Sequence, residues 1–358
     1  MAREPTFATD ALNSEQIAAY LTRIQLPASL ADSAPSLELL SDVYLAHHYH
    51  VPKDTTVMHV PREAWSGPSQ PIVLRSALYS MPLRTAAFER IVTQHAGGYC
   101  WANNPTFAAL LRGLGFRVSE CATKVFKNWA NLDPKDTVVK DKWGTITHVV
   151  LVVDWPGSGE RYVLDVGFGG GGCPIPMPLR DGATVAGLNP FEAWTMRHEP
   201  LPHEHADTPP IDIIPGWTMY RRTSSSPSGF ASHPAPPTLD EPSTWAHQYH
   251  FLLASITIRD IGLYDYYSQA HDLAAFTGFF LVTRLLPGTG GARRSLMFAE
   301  RMVKADGVRR ARVHTTGGTE ARGESGPRDI EYVAMETGPM RVFLEKEFGF
   351  VFDSENST

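Results

Sequence analysis

The sequence predicts an α+β chain with helices first and strands after, on three observations. Apolar residues recur at helical spacing through the first hundred positions. Past Phe116 the composition turns to short runs of Val, Leu and Thr, and Gly- and Pro-rich turns separate those runs. With 43% of its 358 residues hydrophobic, the chain has enough apolar material for at least one substantial core, so disorder is excluded as its main state.

The first helix is expected from Ser14 to about Leu30, where Ile17, Tyr20, Leu21 and Ile24 fall on one face after Asn13. Ser36 to His50 repeats the pattern through Leu39, Leu40, Val43 and Tyr44, and Ala86 to Gln94 is a third, shorter piece. Asn104 to Leu114 reads as a helix with Pro105 near its start and Gly115 as its stop, which sets Cys100 just before it or within its first turn. Strands are expected at Arg117–Val125, Thr147–Val153 and Arg161–Val166, the last two joined as a hairpin through Pro156 to Gly159. Pro200 to Thr244 reads as a long irregular connection, Gly317 to Arg328 as a Gly-rich loop, and Met340 to Leu344 as a final strand. There is no internal repeat.

Charge and cysteine content narrow the function classes. Lys and Arg total 32 against 38 Asp and Glu, a net charge of -6 that is the wrong sign for neutralising nucleic-acid phosphates. Three cysteines cannot form a dense disulfide framework, which points to a reducing compartment. The opening residues lack a basic-then-apolar leader and no run approaches ~18 apolar residues, so a soluble, cytoplasmic protein without membrane partners is expected.

Cys100 stands apart from Cys121 and Cys173 because Gly97-Gly98-Tyr99-Cys100-Trp101 places it after a flexible turn and ahead of a helix, whose N-terminus favours the thiolate. A nucleophilic thiol needs a base, and the base an orienting carboxylate. His148 heads the apolar run Val149 to Val153, and Asp165 closes Tyr162-Val163-Leu164. If these runs form the hairpin, both polar residues emerge at one edge. The alternative for Cys100 is a buried structural thiol, for His148 a capped strand end, and for Asp165 a turn carboxylate.

These pieces together resemble the arylamine N-acetyltransferase family. Its nucleophile motif, Arg-Gly-Gly-(aromatic)-Cys-(apolar)-x-x-Asn, is similar to Ala96-Gly97-Gly98-Tyr99-Cys100-Trp101-Ala102-Asn103-Asn104. Its second signature, a His heading an apolar strand followed by a hairpin and Val-Asp-x-Gly-(Phe/Ser)-Gly, is similar to Thr147-His148-Val149-Val150 and Leu164-Asp165-Val166-Gly167-Phe168-Gly169. The resemblance is strong over Gly97 to Gly169 and weak elsewhere; the chain's length and its 200–244 excursion look like a fungal member.

The resemblance implies an N-terminal helical bundle (1–116) carrying the cysteine, a central β-barrel (117–243) carrying His and Asp, and a C-terminal α/β region (244–358), around a cysteine-proteinase-like Cys-His-Asp core. It also implies ping-pong transfer from acyl-coenzyme A, through a thioester on Cys100, to a small aromatic amine, with no metal or bound prosthetic group. Cys100, His148 and Asp165 are then catalytic, Tyr99, Trp101, Gly167, Phe168 and Gly169 line the acyl or coenzyme A site, and Asn104 lines it or supports the turn. Backbone N–H groups near Tyr99 and Cys100 would hold the oxyanion. The Gly167–Gly172 run either approaches coenzyme A phosphates or simply clears space beside the site.

Two departures stand out. The motif's Arg is Ala96, and its Val-Pro-Phe-Glu-Asn-Leu block reads Val51-Pro52-Lys53-Asp54-Thr55-Thr56. Both partners of the family's Arg–Glu pair are expected to be missing together, with another contact in their place. The histidines at 47, 48, 50, 203, 205, 247 and 250 lack ligand-like spacing and are expected to be solvated. Cys121 and Cys173 are expected to have no role, with Cys173 sensitive to oxidation, and Lys304–Arg312 to be a solvated basic stretch or a contact for the coenzyme A 3′-phosphate. Competing functions are transfer of malonyl or another acyl group to a secondary-metabolite amine or hydroxyl, a thiol hydrolase, and a binding protein that has lost catalysis.

Overall fold

The computed structural model describes residues 11–74, 85–126, 143–189, 192–201, 214–223, 245–271, 275–303, 307–318 and 328–352. Helix α1 (Ser14–Arg23) opens on a capping box in which Asn13 and Gln16 exchange side-chain and backbone hydrogen bonds. It stops seven residues short of the expected Leu30, because Gln25 takes a positive φ of 60° and Pro27 follows. Helix α2 (Leu37–His50) is capped by Ser36, and α3 (Thr85–Phe88) runs on into a π turn over Glu89–Thr93.

Helix α4 begins at Cys100 and ends at Gly113, four residues earlier than expected, so Pro105 lies inside it and Cys100 is its first residue. Residues 100–111 are all buried, the mark of a helix packed on every side. Ile17, Tyr20, Leu21, Leu40, Val43 and Tyr44 of α1 and α2 meet Phe107, Leu110 and Leu111 in one core, which continues into Leu151, Val153 and Leu164.

Two antiparallel sheets form among the described residues. The larger contains β2 (Arg117–Phe126), β3 (Trp143–Asp154), β4 (Tyr162–Leu164), β5 (Met177–Pro178), β6 (Thr184–Ala186), β7 (Glu192–Glu199), β8 (Gly216–Thr223) and β9 (Ala246–Ser255), in the order β5-β4-β3-β2-β9-β8-β7-β6. Its two outermost strands, β5 and β6, are neighbours in sequence, so the sheet curls into a nearly closed barrel. The β3–β4 hairpin pairs Leu151 with Leu164, Val152 with Val163 and Val153 with Tyr162. Alternation decides what each side chain meets: Val149 joins the cluster around Cys100, Leu151 and Val153 face the helices, and Val150 and Val152 fill the barrel with Trp194, Met219 and Phe251. Such a strand, buried on both faces, has no room for polar alternation.

The smaller sheet has the order β1-β10-β11-β12-β13, from β1 (Lys53–Asp54), β10 (Phe279–Leu285), β11 (Arg293–Ala299), β12 (Arg310–Thr316) and β13 (Arg328–Ala334). Helix α5 (Ile258–Ala270) packs on β3, and α6 (Thr337–Phe348) contributes to the core of the smaller sheet.

Three expectations are corrected here. Met340–Leu344 is not a strand but part of α6: Met340, Leu344 and Phe348 recur every four residues and are buried, and Gly349 ends the helix at φ 73°. The barrel does not end at 243, since β9 lies between β2 and β8, and β1 from the first 116 residues joins the C-terminal sheet. The excursion contains an ordered strand, β8; its residues 202–213 and 224–244 lie outside the described residues, as do 319–327 of the Gly-rich loop. No helix among the described residues is long and apolar enough to cross a membrane.

Candidate active site

Cys100 is the first residue of α4, wholly buried and unbridged. Its Sγ donates to the Thr147 carbonyl at 3.5 Å, at the head of the run that carries His148. The next residue, His148, sets Nε2 2.6 Å from Asp165 Oδ2 across the hairpin, with Cys100 close enough to act on its imidazole. The sequence-predicted trio is therefore assembled from three elements: a helix start, a strand and the turn after its partner.

The carboxylate is held from every side. Asp165 Oδ1 accepts from Asn104 Nδ2 at 3.0 Å and from the Gly167 amide at 2.9 Å, leaving Oδ2 for the imidazole. Asn104 sits one turn after Cys100 on the same helix face; it also donates to Val149 O at 2.7 Å and accepts from Val166 N at 2.8 Å, tying helix, strand and turn together. Tyr44 accepts from the Asp165 amide at 2.9 Å and donates to Cys173 O at 2.6 Å.

Burial by itself would lower the basicity of His148, but the facing Asp165, hydrogen-bonded to it, and the neighbouring Cys100 raise it to about 9. Burial pushes the Asp165 carboxyl upward, and His148, Asn104 and the Gly167 amide more than reverse this, holding it below the usual carboxylate range. An imidazole between a thiol and a fixed carboxylate can take the thiol proton and keep it.

The remaining predicted residues divide. Gly167 is required by contact: a Cβ there would lie 2.5 Å from Cys100 Cα. Phe168 sets its ring edgewise to His148 at 5.4 Å, with Tyr249 behind both. Gly169 takes φ 87° and passes against the Lys53 stem. Tyr99 and Trp101, by contrast, turn away toward α5. The Tyr99 hydroxyl donates to Asp265 and accepts from Gln269 at 2.6 Å, and Trp101 Nε1 donates to Ser268 at 2.9 Å. Their polar atoms are spent on anchoring α5 beside the helix start, and Asn104's on bracing the turn.

The structure corrects further expectations. Asp54 occupies the Glu position of the family motif and is not a missing partner: it pairs with Arg90 of the π turn, which also donates to Gly97 O at 2.8 Å and Thr56 Oγ1 at 2.8 Å. The pair survives with its cation moved from position 96 to position 90. His47 is buried with Nδ1 2.8 Å from the Tyr20 hydroxyl, and His250 is buried against Thr218 at 2.9 Å, so neither is solvated. His203 and His205 lie outside the described residues. Cys173 is buried, donates to Ile175 O at 3.3 Å and has its thiol pushed up to about 12 by burial, which opposes oxidation; Cys121, inside the barrel, is likewise pushed up to about 12. In the basic stretch, Arg309 is committed to Glu300 and to Ile72 O at 2.6 Å, and Lys304 lies outside the described residues. No group of three or more His, Cys, Asp or Glu among the described residues is placed to hold a metal ion.

Tyr44, Lys53 and Tyr249 belong to the site as well, yet pattern reading passed over them. Tyr44 and Tyr249 look like core aromatics, and only a close look at Lys53 in the departed motif gave any signal.

An N-acetyltransferase family model matches residues 79–194, the segment that holds the whole trio. The chain is 26% identical over 280 residues to N-malonyltransferase FDB2 of Fusarium pseudograminearum, across 76% of this chain and 74% of that one. Its fold is similar to that of arylamine N-acetyltransferase from Salmonella typhimurium, with TM-score 0.64 and 20% identity over 96% of this chain and 93% of that chain. It is also similar to Mycobacterium marinum arylamine N-acetyltransferase, solved in complex with CoA, with TM-score 0.58 and 20% identity over 93% and 92% of the two chains. The fold is that of the arylamine N-acetyltransferases, and the class is acyltransferase. Over the segment that holds the trio the chain is thus similar to N-acetyltransferases, and along its length to an N-malonyltransferase.

Proposed function

We propose that this chain is an acyl-coenzyme A-dependent N-acyltransferase that works by ping-pong through a thioester on Cys100. The observation that carries the reading is the Cys100, His148 and Asp165 arrangement at the start of a buried helix. His148 takes the Cys100 proton; the sulfur attacks the acyl carbon of acyl-coenzyme A, and the bond from that carbon to the coenzyme A sulfur breaks. The departing thiolate takes the proton from His148, leaving free coenzyme A and S-acyl-Cys100. A neutral aromatic amine then attacks the thioester, the bond to Cys100 breaks, and the nitrogen's proton passes to His148. Backbone N–H groups at the start of α4 meet the oxyanion. Thioester exchange is nearly balanced in energy, so no metal or prosthetic group is called for.

The likeness to an N-malonyltransferase supports a malonyl donor beside the acetyl donor, and with it an acceptor other than a simple arylamine. Free, unbridged thiols suit a reducing compartment such as the cytoplasm. The test is intact-protein mass spectrometry after mixing with acetyl-, propionyl- and malonyl-coenzyme A separately, followed by p-anisidine. An adduct on Cys100 that persists in water and vanishes with the amine supports the transferase and names its donor. An adduct lost to water alone indicates a thiol hydrolase, and no adduct from any donor indicates a binding protein.

A further inference from the structure

Among the described residues, Lys53 is a buried cation without an acidic partner. It is 7% exposed, and its ammonium donates to the Phe168 carbonyl at 3.0 Å while lying 5.1 Å from the centre of the Phe276 ring. No carboxylate among the described residues pairs with it, since Asp165 is filled by His148, Asn104 and Gly167. Burying an ammonium without a counterion is costly, and a methionine of the same length would fill this space at no such cost.

The position of that cation is built. β1 runs beside the nucleophile turn: Lys53 bridges Gly98, two residues before Cys100, and the Asp54 amide donates to Gly98 O at 2.9 Å. On the other side the Lys53 stem passes over Gly169, where any Cβ would lie 2.6 Å from its Cδ. The cation is thus clamped between the two loops that carry Cys100 and Asp165, along a cleft it lines with Val166, Gly169, Gly170 and Thr283. Burial lowers its basicity, while Cys100 and Asp165 favour its charged form. An acidic acyl group carried by Cys100 would supply the counterion that this ammonium lacks.

We propose that Lys53 is a specificity-determining residue that binds the free carboxylate of a dicarboxylic acyl group, malonyl above all, as that group is transferred to Cys100. This rests on the acyltransferase reading above. In malonyl-Cys100 the carboxylate stands one methylene from the thioester carbonyl, and no bond to Lys53 is made or broken; the ammonium stays protonated and keeps donors beyond the one given to the Phe168 carbonyl.

The experiment is quenched-flow acylation of Cys100 read by intact mass, with malonyl-coenzyme A against propionyl-coenzyme A, which has the same chain length without the acid. The unmutated protein is expected to take malonyl at least about tenfold faster, because a site built for a polar group rejects the analogue lacking it. Lys53→Met lowers that malonyl-to-propionyl ratio about tenfold or more, and Lys53→Arg keeps it above one. A ratio near one in the unmutated protein, with propionyl still loading, overturns the proposal while the transferase reading stands, as does an unchanged ratio in Lys53→Met. If Lys53→Met fails to fold, the unmutated ratio and Lys53→Arg decide between these outcomes. No adduct from either donor on the unmutated protein overturns the transferase reading and this proposal with it.

Discussion

Asp165 gives one carboxylate oxygen to His148 at 2.6 Å and reserves the other for the Asn104 side chain and the Gly167 amide. The acid cannot rotate away from the ring without breaking two further hydrogen bonds, so the orientation of the imidazole is fixed before any substrate arrives.

Replacing that acid separates orientation from mere packing. Asp165→Asn keeps the shape and is predicted to slow acylation of Cys100 by about 10³–10⁴-fold, as loss of the orienting carboxylate does in related relays. The pH profile adds a second readout. With His148 raised to about 9, acylation is expected to hold through neutral pH and fall as pH rises through that value, because the proton for the departing thiolate is then lost. In Asp165→Asn the falling limb moves toward the ordinary imidazole value. An unmoved limb in that variant excludes His148 as its source.

Gly167 sets the spacing between the turn and the nucleophile. In Gly167→Ala the new methyl would stand 2.5 Å from Cys100 Cα and 2.9 Å from the Asn104 side chain, so the turn must retreat from the helix. A loss of about 1–3 kcal/mol in a urea melt is expected from such overpacking, together with slower Cys100 alkylation by iodoacetamide. Ala at Gly159, which has open space around it, is the control.

Arg90 and Asp54 supply a third test. Asp54 is fully buried, so Arg90→Met leaves a carboxylate without its partner and is expected to cost about 3–5 kcal/mol, whereas Arg90→Met with Asp54→Asn recovers most of that loss. A double variant no more stable than Arg90→Met alone would show that the pair's worth lies in the arginine's bonds to Gly97 and Thr56.

Stability should also depend on pH in two opposite limbs. His47 is buried against Tyr20 and Phe107, and half-buried His48 lines the cleft beside Lys53; desolvation holds His47 well below its ordinary value and His48 at about 4. Unfolded, each takes a proton near pH 6.5, so the unfolded chain binds more protons and stability falls as pH drops below that value, by about 1.4 kcal/mol per unit for each ring. His148 runs the other way: raised when folded, it contributes stability in full below about 6.5 that is lost as pH rises toward 9. Urea midpoints should therefore peak near neutrality, and His47→Gln should flatten the acid limb alone.

The hairpin, the helix after Cys100 and the trio were legible because they are local or carry a single dominant pattern: an unbroken apolar run, a turn of small residues, a polar residue at each end. What escaped was set by distant partners. Met340–Leu344 reads as a strand in a five-residue window, and only the buried recurrence at Phe348 reveals the helix. Pro105 drew the predicted helix start four residues too late, because a proline at a first turn and one tolerated inside a buried helix look alike in sequence. The roles of Tyr99 and Trp101 follow from Asp265, Ser268 and Gln269, more than 160 positions away, and no spacing rule links them. Asp54 matched the motif in charge while its cation moved six residues, a substitution visible only once α3 is folded against β1.

Tyr44 and Asp165 are joined across 121 residues, and Asn104 and Asp165 across 61. Each such closure costs chain entropy before it returns any contact energy. The helical layer can collapse early through neighbouring segments, yet the relay stays incomplete until the hairpin docks on it. Recovery of a reactive Cys100 during refolding should therefore trail the return of helical signal, making the thiol a clock for the last step of assembly.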